Sequence, residues 1–137
     1  MNPLNNLFDL TGKRALITGS TKGIGYTLAK GLALAGAEVI INARHQSTVD
    51  DVQAQFTELG LTAHGLVFDV TDRQAVNMAI NDFEAQVGVI DILVNNAGIQ
   101  IRAPLEDFES DDFDRLMITN VNSVFYVSQT VARHMIK

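Results

Sequence analysis

Four short apolar runs punctuate this chain, and between them the apolar residues recur at three- and four-residue spacing. Ala15-Leu16-Ile17, Val39-Ile40-Ile41, Ala63 to Phe68 and Ile90 to Val94 are largely apolar at consecutive positions, as strands buried on both faces of a parallel sheet must be. The intervening stretches read as helices. From Thr71 to Val87, residues Ala75, Val76, Ala79, Ile80, Phe83 and Val87 share one helical face, and Thr71 with Gln74 has capping-box spacing. Val49, Val52, Phe56 and Leu59 do the same for the preceding helix, which Gly60 can end in a left-handed conformation, as Gly36 can end the first. Ser110 to Lys137 predicts one long helix, roughly 40 Å at 1.5 Å per residue. Its apolar residues, among them Phe113, Leu116, Met117, Val121, Val124, Phe125, Val127 and Val131, cover more than one narrow stripe. That breadth predicts two packing partners, the sheet and a second subunit. Strands alternating with helices predict an α/β fold, a parallel sheet covered on both faces.

Composition narrows the classes. A chain of 137 residues, 47% hydrophobic and 19% charged, suits one domain spanning 1–137 with a sizeable core. A net charge of −6 and a pI near 4.8 oppose general attraction to nucleic acid or to an anionic membrane, which need a basic face. Any basic residue that matters therefore acts locally. With no cysteine, disulfides and thiolate metal sites are excluded, and His45, His64 and His134 lack metal-ligand spacing, so they read as structural or surface residues and no metal is expected. Met1-Asn2-Pro3-Leu4 has no basic region leading into an apolar run, and no stretch reaches the length of a membrane span. A soluble cytoplasmic protein is expected.

Chemistry concentrates where strands end. Directly after the first strand comes Thr18-Gly19-Ser20-Thr21-Lys22-Gly23-Ile24-Gly25, running into the first helix. A glycine-rich strand-to-helix turn lets backbone approach a pyrophosphate while the helix N-terminus directs N–H groups and partial positive charge at it. The spacing is G-x-x-x-G-x-G rather than the usual dinucleotide fingerprint, so the phosphate reading rests on context as well as on glycine. At the end of the second strand, where an NAD site offers an acid to the ribose 2′-hydroxyl, the chain reads Asn42-Ala43-Arg44. Arg44 can fork onto a 2′-phosphate and Lys22 can add a second positive charge. Those two cations and the missing acid favour NADP; the alternative is two solvated surface charges. After the fourth strand, Asn95-Asn96-Ala97-Gly98 lies at the end where open parallel sheets bind ligands, although Asn and Gly also suit a plain turn.

Taken together, Thr18 to Gly25, Phe68-Asp69-Val70-Thr71, Asn95-Asn96-Ala97-Gly98 and Thr119-Asn120-Val121 stand in the order and spacing of the short-chain dehydrogenases/reductases, and the chain resembles that family over nearly its whole length. The resemblance implies a Rossmann-type doubly wound sheet of strand order 3-2-1-4, here truncated after the fourth strand and a long helix. It implies NADP on Gly19, Ser20, Thr21, Lys22, Gly23, Ile24, Gly25 and Arg44. Asp69 would accept from the adenine amino group, Val70 pack on the adenine, and Asn96, with Ala97 and Gly98, lie by the nicotinamide ribose. Asn120 resembles the asparagine of the catalytic tetrad, where a helix kink frees a carbonyl to hold a water in the proton relay. Asn95 to Arg102 followed by Ala103 to Phe108 is similar to the gluconate 5-dehydrogenase group, which implies reversible hydride transfer between D-gluconate and 5-keto-D-gluconate, a small polyol or keto-acid substrate, and a homo-oligomer for the complete enzyme. Arg102 would bind the gluconate carboxylate.

The family's catalytic serine and its Tyr-x-x-x-Lys are expected beyond Lys137, so these 137 residues are expected to be inactive alone and to expose an apolar edge at the fourth strand. Tyr26-x-x-x-Lys30 has the right spacing but lies inside the cofactor-binding helix, and Tyr126 has no lysine four positions on. Asp111, Asp112 and Asp114 fit the first turn of the last helix. Two rival readings remain open: a 3-oxoacyl carrier-protein reductase sharing the cofactor motifs, and a non-catalytic NADP-binding module.

Overall fold

A computed structural model describes residues 7–137; Met1 to Leu4, read above for a leader, lie outside them. The elements are β1 (Arg14–Ile17), α1 (Gly23–Leu34), β2 (Glu38–Ala43), α2 (Gln46–Glu58), β3 (Ala63–Val67), α3 (Arg73–Gln86), β4 (Ile92–Val94), a 3-10 turn (Leu105–Asp107), α4 (Ser110–Met117), a π-helical turn (Ile118–Asn122) and α5 (Ser123–Met135). The strands pair in the order β3-β2-β1-β4, all parallel, the Rossmann-type order expected from the sequence. Register sets Ile17 beside both Ile41 and Val94. Thr18, Asn42 and Asn95 therefore stand at one level, where β1 and β4 have ended and β2 runs one residue further, to Ala43, beside β3.

The pleat sends successive residues of a strand to opposite faces, and both faces are covered. Ala15, Ile17, Val39 and Ile41 pack with Ala29 and Ala33 of α1 and with Val49, Val52 and Phe56 of α2. Leu16 and Ile40 point the other way, into Val76, Ile80 and Phe83 of α3 and Val127 and Val131 of α5. This is why the strands carry no polar alternation. A fully buried Leu or Ile contributes roughly 1.5–3 kcal/mol whichever face it meets.

Helices α1 and α2 end alike. Gly36 (φ 103°) and Gly60 (φ 72°) take left-handed backbone, and the residue after each glycine closes back: Ala37 N donates to Leu32 O at 3.1 Å and Leu61 N to Phe56 O at 2.9 Å, the Schellman closure. The start of α3 differs from the expected capping box. Its cap is Asp72, whose Oδ1 accepts from Ala75 N at 3.0 Å; Thr71 lies one residue too early and turns back onto Asp69 instead. Leu59 and Val87, placed on buried faces by periodicity, fall just past the ends of α2 and α3 and are 54% and 39% exposed.

The largest difference is in the last helix, which is not continuous: the π turn at Ile118–Asn122 separates α4 from α5. Val127 and Val131 are buried against α3 and the sheet. Thr130 Oγ1 donates to Asn77 Oδ1, and the His134 ring nitrogens lie 2.8 Å from Asn81 Oδ1 and 2.7 Å from the buried Glu84 carboxylate. Phe113, Val121 and Phe125 are exposed, so one of the two expected apolar faces is covered within the described residues. Among those residues no helix is long and apolar enough to cross a membrane.

Candidate functional site

Most of the residues singled out by the sequence gather where β1, β2, β3 and β4 end, around a cleft of about 1150 Å³. The turn after β1 depends on glycine in two ways. Gly19 and Gly23 have φ of 61° and 59°, backbone that other residues rarely adopt. Gly25 is held to glycine by space: an added Cβ would lie 2.3 Å from Gly19 O and 2.5 Å from Asn96 Nδ2. The helix can thus begin hard against the strand ends. Lys22, the N-cap of α1, gives it no side-chain cap, and no acid occupies its first turn, so the first N–H groups and the positive end of the helix dipole stay open to an anion.

The turn after β4 is bolted to this one. Thr18 Oγ1 accepts from Asn96 N and Ala97 N, both at 3.0 Å, while Asn96 Nδ2 donates to Thr18 O at 3.1 Å and Gly19 O at 3.0 Å. The Asn96 amide nitrogen therefore braces the glycine turn. On the other side, Asn42 Oδ1 accepts from Gly19 N at 3.1 Å, and Ser20 Oγ, fully buried, accepts from Asn42 N at 2.9 Å.

One end of the cleft is basic. Lys22, Arg44 and His45 line it, and no carboxylate follows β2. Asp69 and Val70 form the neighbouring wall; Asp69 Oδ1 accepts from Thr71 N at 2.9 Å and Thr71 Oγ1 at 2.7 Å. The other wall comes from Asn96, Ala97, Gly98 and Ile99 and from Asp111, Asp114, Arg115, Ile118 and Thr119 of α4 and the π turn. Asn120 does not line the cleft itself: its carboxamide pairs with the backbone of Ile99, which does. Ser20 and Gly25 lie behind the lining. Arg102 is exposed and outside it; with the Gln100 carboxamide oxygen turned toward it, that oxygen accepts from Nη2 at 2.8 Å and Nε at 2.9 Å. Tyr26 points away from the cleft, donating to Gln55 Oε1 at 3.3 Å with its ring edge-on to Phe56. Among the described residues no three His, Asp or Glu side chains converge as a metal site would require.

Residues 13–137 match the family model for the short chain dehydrogenases. The chain belongs to that family. Its relatives among these dehydrogenases include gluconate 5-dehydrogenase of Gluconobacter oxydans, 57% identical over 96% of this chain and 51% of that protein. Another is 5-keto-D-gluconate 5-reductase of Escherichia coli, 40% identical over 98% of this chain and 53% of that protein. A crystal structure of a gluconate 5-dehydrogenase from Burkholderia cenocepacia in complex with NADP and tartrate superposes with a TM-score of 0.95 at 54% identity, covering 97% of this chain and 52% of that one. The chain spans about half the length of the relatives it matches.

Several residues of this dehydrogenase cleft carry no mark in the sequence. Thr18 and Asn42 look like ordinary polar residues at strand ends, yet each holds two loops. His45, read as a surface histidine, and Asp111 and Asp114, read as helix-dipole acids, also line the cleft. Their placement follows from the packing of α2 on β2 and β3 and from the π turn that carries α4, which no local pattern encodes.

Proposed function

We propose that this chain forms the NADP site of a gluconate 5-dehydrogenase-like enzyme that interconverts D-gluconate and 5-keto-D-gluconate. The observation that carries the reading is the basic end of the cleft, where Lys22 and Arg44 stand and no carboxylate follows β2. An acid there would repel a 2′-phosphate; an Arg fork attracts one. The open N-terminus of α1 and the missing side chains of Gly19, Gly23 and Gly25 suit the pyrophosphate. Thr21 and Ile24 flank it, and Ser20 supports the turn from behind. Asp69 would receive the adenine amino group and Val70 its ring face, with Asn96, Ala97 and Gly98 at the nicotinamide ribose. The names of the relatives favour gluconate and its keto acid as substrate.

Bound NADP supplies or accepts the hydride. The chain's own part is to hold the dinucleotide, keep the loop from Asn96 to Ile99 against it, and present the π turn at Asn120, a helical irregularity that loosens carbonyls from regular pairing and frees one to hold a water. Arg102 draws the anionic substrate toward the cleft. A second subunit would cover the apolar face of α4 and α5 left open at Phe113, Val121 and Phe125.

Among the described residues no tyrosine lines the cleft beside a lysine, so the polypeptide by itself should bind dinucleotide weakly and not turn over, since an alkoxide developing at the carbonyl lacks the tyrosine acid that the family resemblance calls for. The test is NADP reduction with gluconate, and NADPH oxidation with 5-keto-gluconate and with a 3-oxoacyl thioester, by a longer polypeptide carrying these residues and by the 137 residues alone. Gluconate-dependent turnover by the longer protein only is the expected result. Thioester reduction without gluconate activity would overturn the substrate assignment, and equal turnover by both polypeptides would overturn the division of labour.

A further inference from the structure

Asn42 sits at the end of β2, 1% exposed, and every polar atom of its side chain is engaged. Oδ1 accepts from Gly19 N at 3.1 Å; Nδ2 donates to Leu66 O at 3.0 Å and Phe68 O at 3.3 Å. Its backbone is tied to the same turn, since Asn42 N donates to Ser20 Oγ and Ser20 N to Asn42 O, each at 2.9 Å. One carboxamide thus joins the first residue of the glycine turn to the strand end that carries Asp69 and Val70. No other short side chain offers an acceptor on one side and two donors on the other. Aspartate could accept from Gly19 but would face two carbonyl oxygens, and an aliphatic residue would take the acceptor from the Gly19 N–H and the donor from both carbonyls.

We infer that Asn42 is a positioning residue of the dinucleotide site, fixing the pyrophosphate turn relative to the adenine wall and withdrawing the Gly19 N–H from the ligand. The inference rests on the NADP reading of the cleft. NADPH spans both regions, so its binding depends on their relative placement; adenosine 2′-phosphate has no pyrophosphate and meets the basic, adenine end, where the long Lys22 side chain would be its one contact with the turn. A residue that merely stabilised the fold would affect both ligands together.

The experiment compares NADPH and adenosine 2′-phosphate binding by the full chain and its Asn42→Ser variant, at a temperature where circular dichroism shows both folded. The variant should lose about tenfold for NADPH, the scale of one or two buried hydrogen bonds, and less than about twofold for adenosine 2′-phosphate. Equal losses, or no loss beside a lowered Tm, would overturn the inference. Should the variant not fold, the wild-type protein decides by amide exchange. The Gly19 amide should be protected without ligand and gain nothing from NADPH, while amides of Gly23 to Gly25 gain protection; protection of Gly19 that arises only with NADPH would overturn the assignment. If the wild-type chain binds neither ligand, the NADP reading itself has failed, and the role of Asn42 with it.

Discussion

Asn120 pairs with Ile99 as a neighbouring strand would. Its Oδ1 accepts from Ile99 N at 2.8 Å and its Nδ2 donates to Ile99 O at 2.9 Å, so a side chain in the π turn satisfies both backbone groups of a residue in the loop after β4. The contact is tight: a Cβ on Gly98 would lie 3.1 Å from the same oxygen. Replacing Asn120 with alanine removes both bonds at an exposed site, where each is worth only about 0.5–1.5 kcal/mol. The larger effect should be geometric, because misplacing a reacting pair by about an ångström can cost on the order of a hundredfold in rate. In the complete enzyme, Asn120→Ala should therefore lower kcat far more than it lowers Tm. Stopped-flow turnover beside a thermal melt checks this; a kcat loss no larger than the instability accounts for would remove Asn120 from the machinery.

Arg44 tests the cofactor choice. It is exposed and lines the basic end of the cleft beside Lys22. A charge-assisted contact to a 2′-phosphate is worth roughly 1.5–3 kcal/mol. Arg44→Ala should weaken NADPH by about one to two decades and leave NADH nearly unchanged. Parallel losses for both in a fluorescence titration would exclude a 2′-phosphate contact.

How far the sequence reaches is clear from these residues. Leu16 and Ile17 announce a strand buried on both faces because every position is apolar, and Gly36 and Gly60 mark helix ends because few other residues take their backbone angles. The two core faces follow from such local rules, while the sheet order comes with the family resemblance. The π turn does not follow from them: apolar spacing alone reads Ser110 to Lys137 as one unbroken helix, and a kink at Asn120 comes only with the family resemblance. Thr71 has the spacing of a cap in the sequence, and the start of α3 at Arg73 hands that task to Asp72. Asn42 was legible as the absence of an acid but not as a bridge, since its partners Gly19, Leu66 and Phe68 are more than 20 residues away.

Gly25 is where the site has least tolerance. Its φ is ordinary, but a methyl group there would meet Gly19 O at 2.3 Å and Asn96 Nδ2 at 2.5 Å. Both neighbours are fixed, one being backbone and the other hydrogen-bonded to Thr18 O and Gly19 O. Overpacking of this kind typically costs about 1–3 kcal/mol. Gly25→Ala should lower Tm and reduce NADPH binding together, whereas Gly31→Ala, in the same helix with open space around it, should do neither. Calorimetry of the two variants with and without NADPH makes the comparison. A Gly25→Ala protein binding like wild type would mean the turn can move.

Acid should loosen the opposite end of the sheet. Glu38 Oε2 lies 3.1 Å from both His64 Nε2 and Arg14 Nε. The hydrogen bond to His64 is the chief reason its carboxyl is held below the ordinary value of 4.5; partial burial opposes the shift, and the Arg14 charge adds to it. Because the folded state depresses this pKa, the contribution is fully present above about pH 4.5 and fades as pH falls through the lower, folded value. Glu38→Gln should therefore destabilise the protein at neutral pH and converge on wild type in acid. Urea melts from pH 7 to pH 3 would reveal a constant gap between the two if Glu38 is not the titrating group.

Arg102 decides whether the substrate's charge matters. It is exposed, three residues beyond Ile99 of the cleft wall, and its guanidinium is held by the neutral Gln100 oxygen rather than by a carboxylate within the described residues. Its positive charge is thus left available in a protein of net charge −6, where an anionic substrate otherwise meets general repulsion. If gluconate is guided by this arginine, Arg102→Ala in the complete enzyme should raise KM for gluconate by about tenfold, the scale of one exposed charge-assisted contact. An uncharged polyol should show little change. Added salt should mimic the mutation, since screening acts on the same attraction over a length of about 8–10 Å. Steady-state kinetics on both substrates at low and moderate ionic strength separates the outcomes. Equal rises for charged and uncharged substrates would assign Arg102 to holding the loop, through Gln100, and leave the carboxylate to another residue.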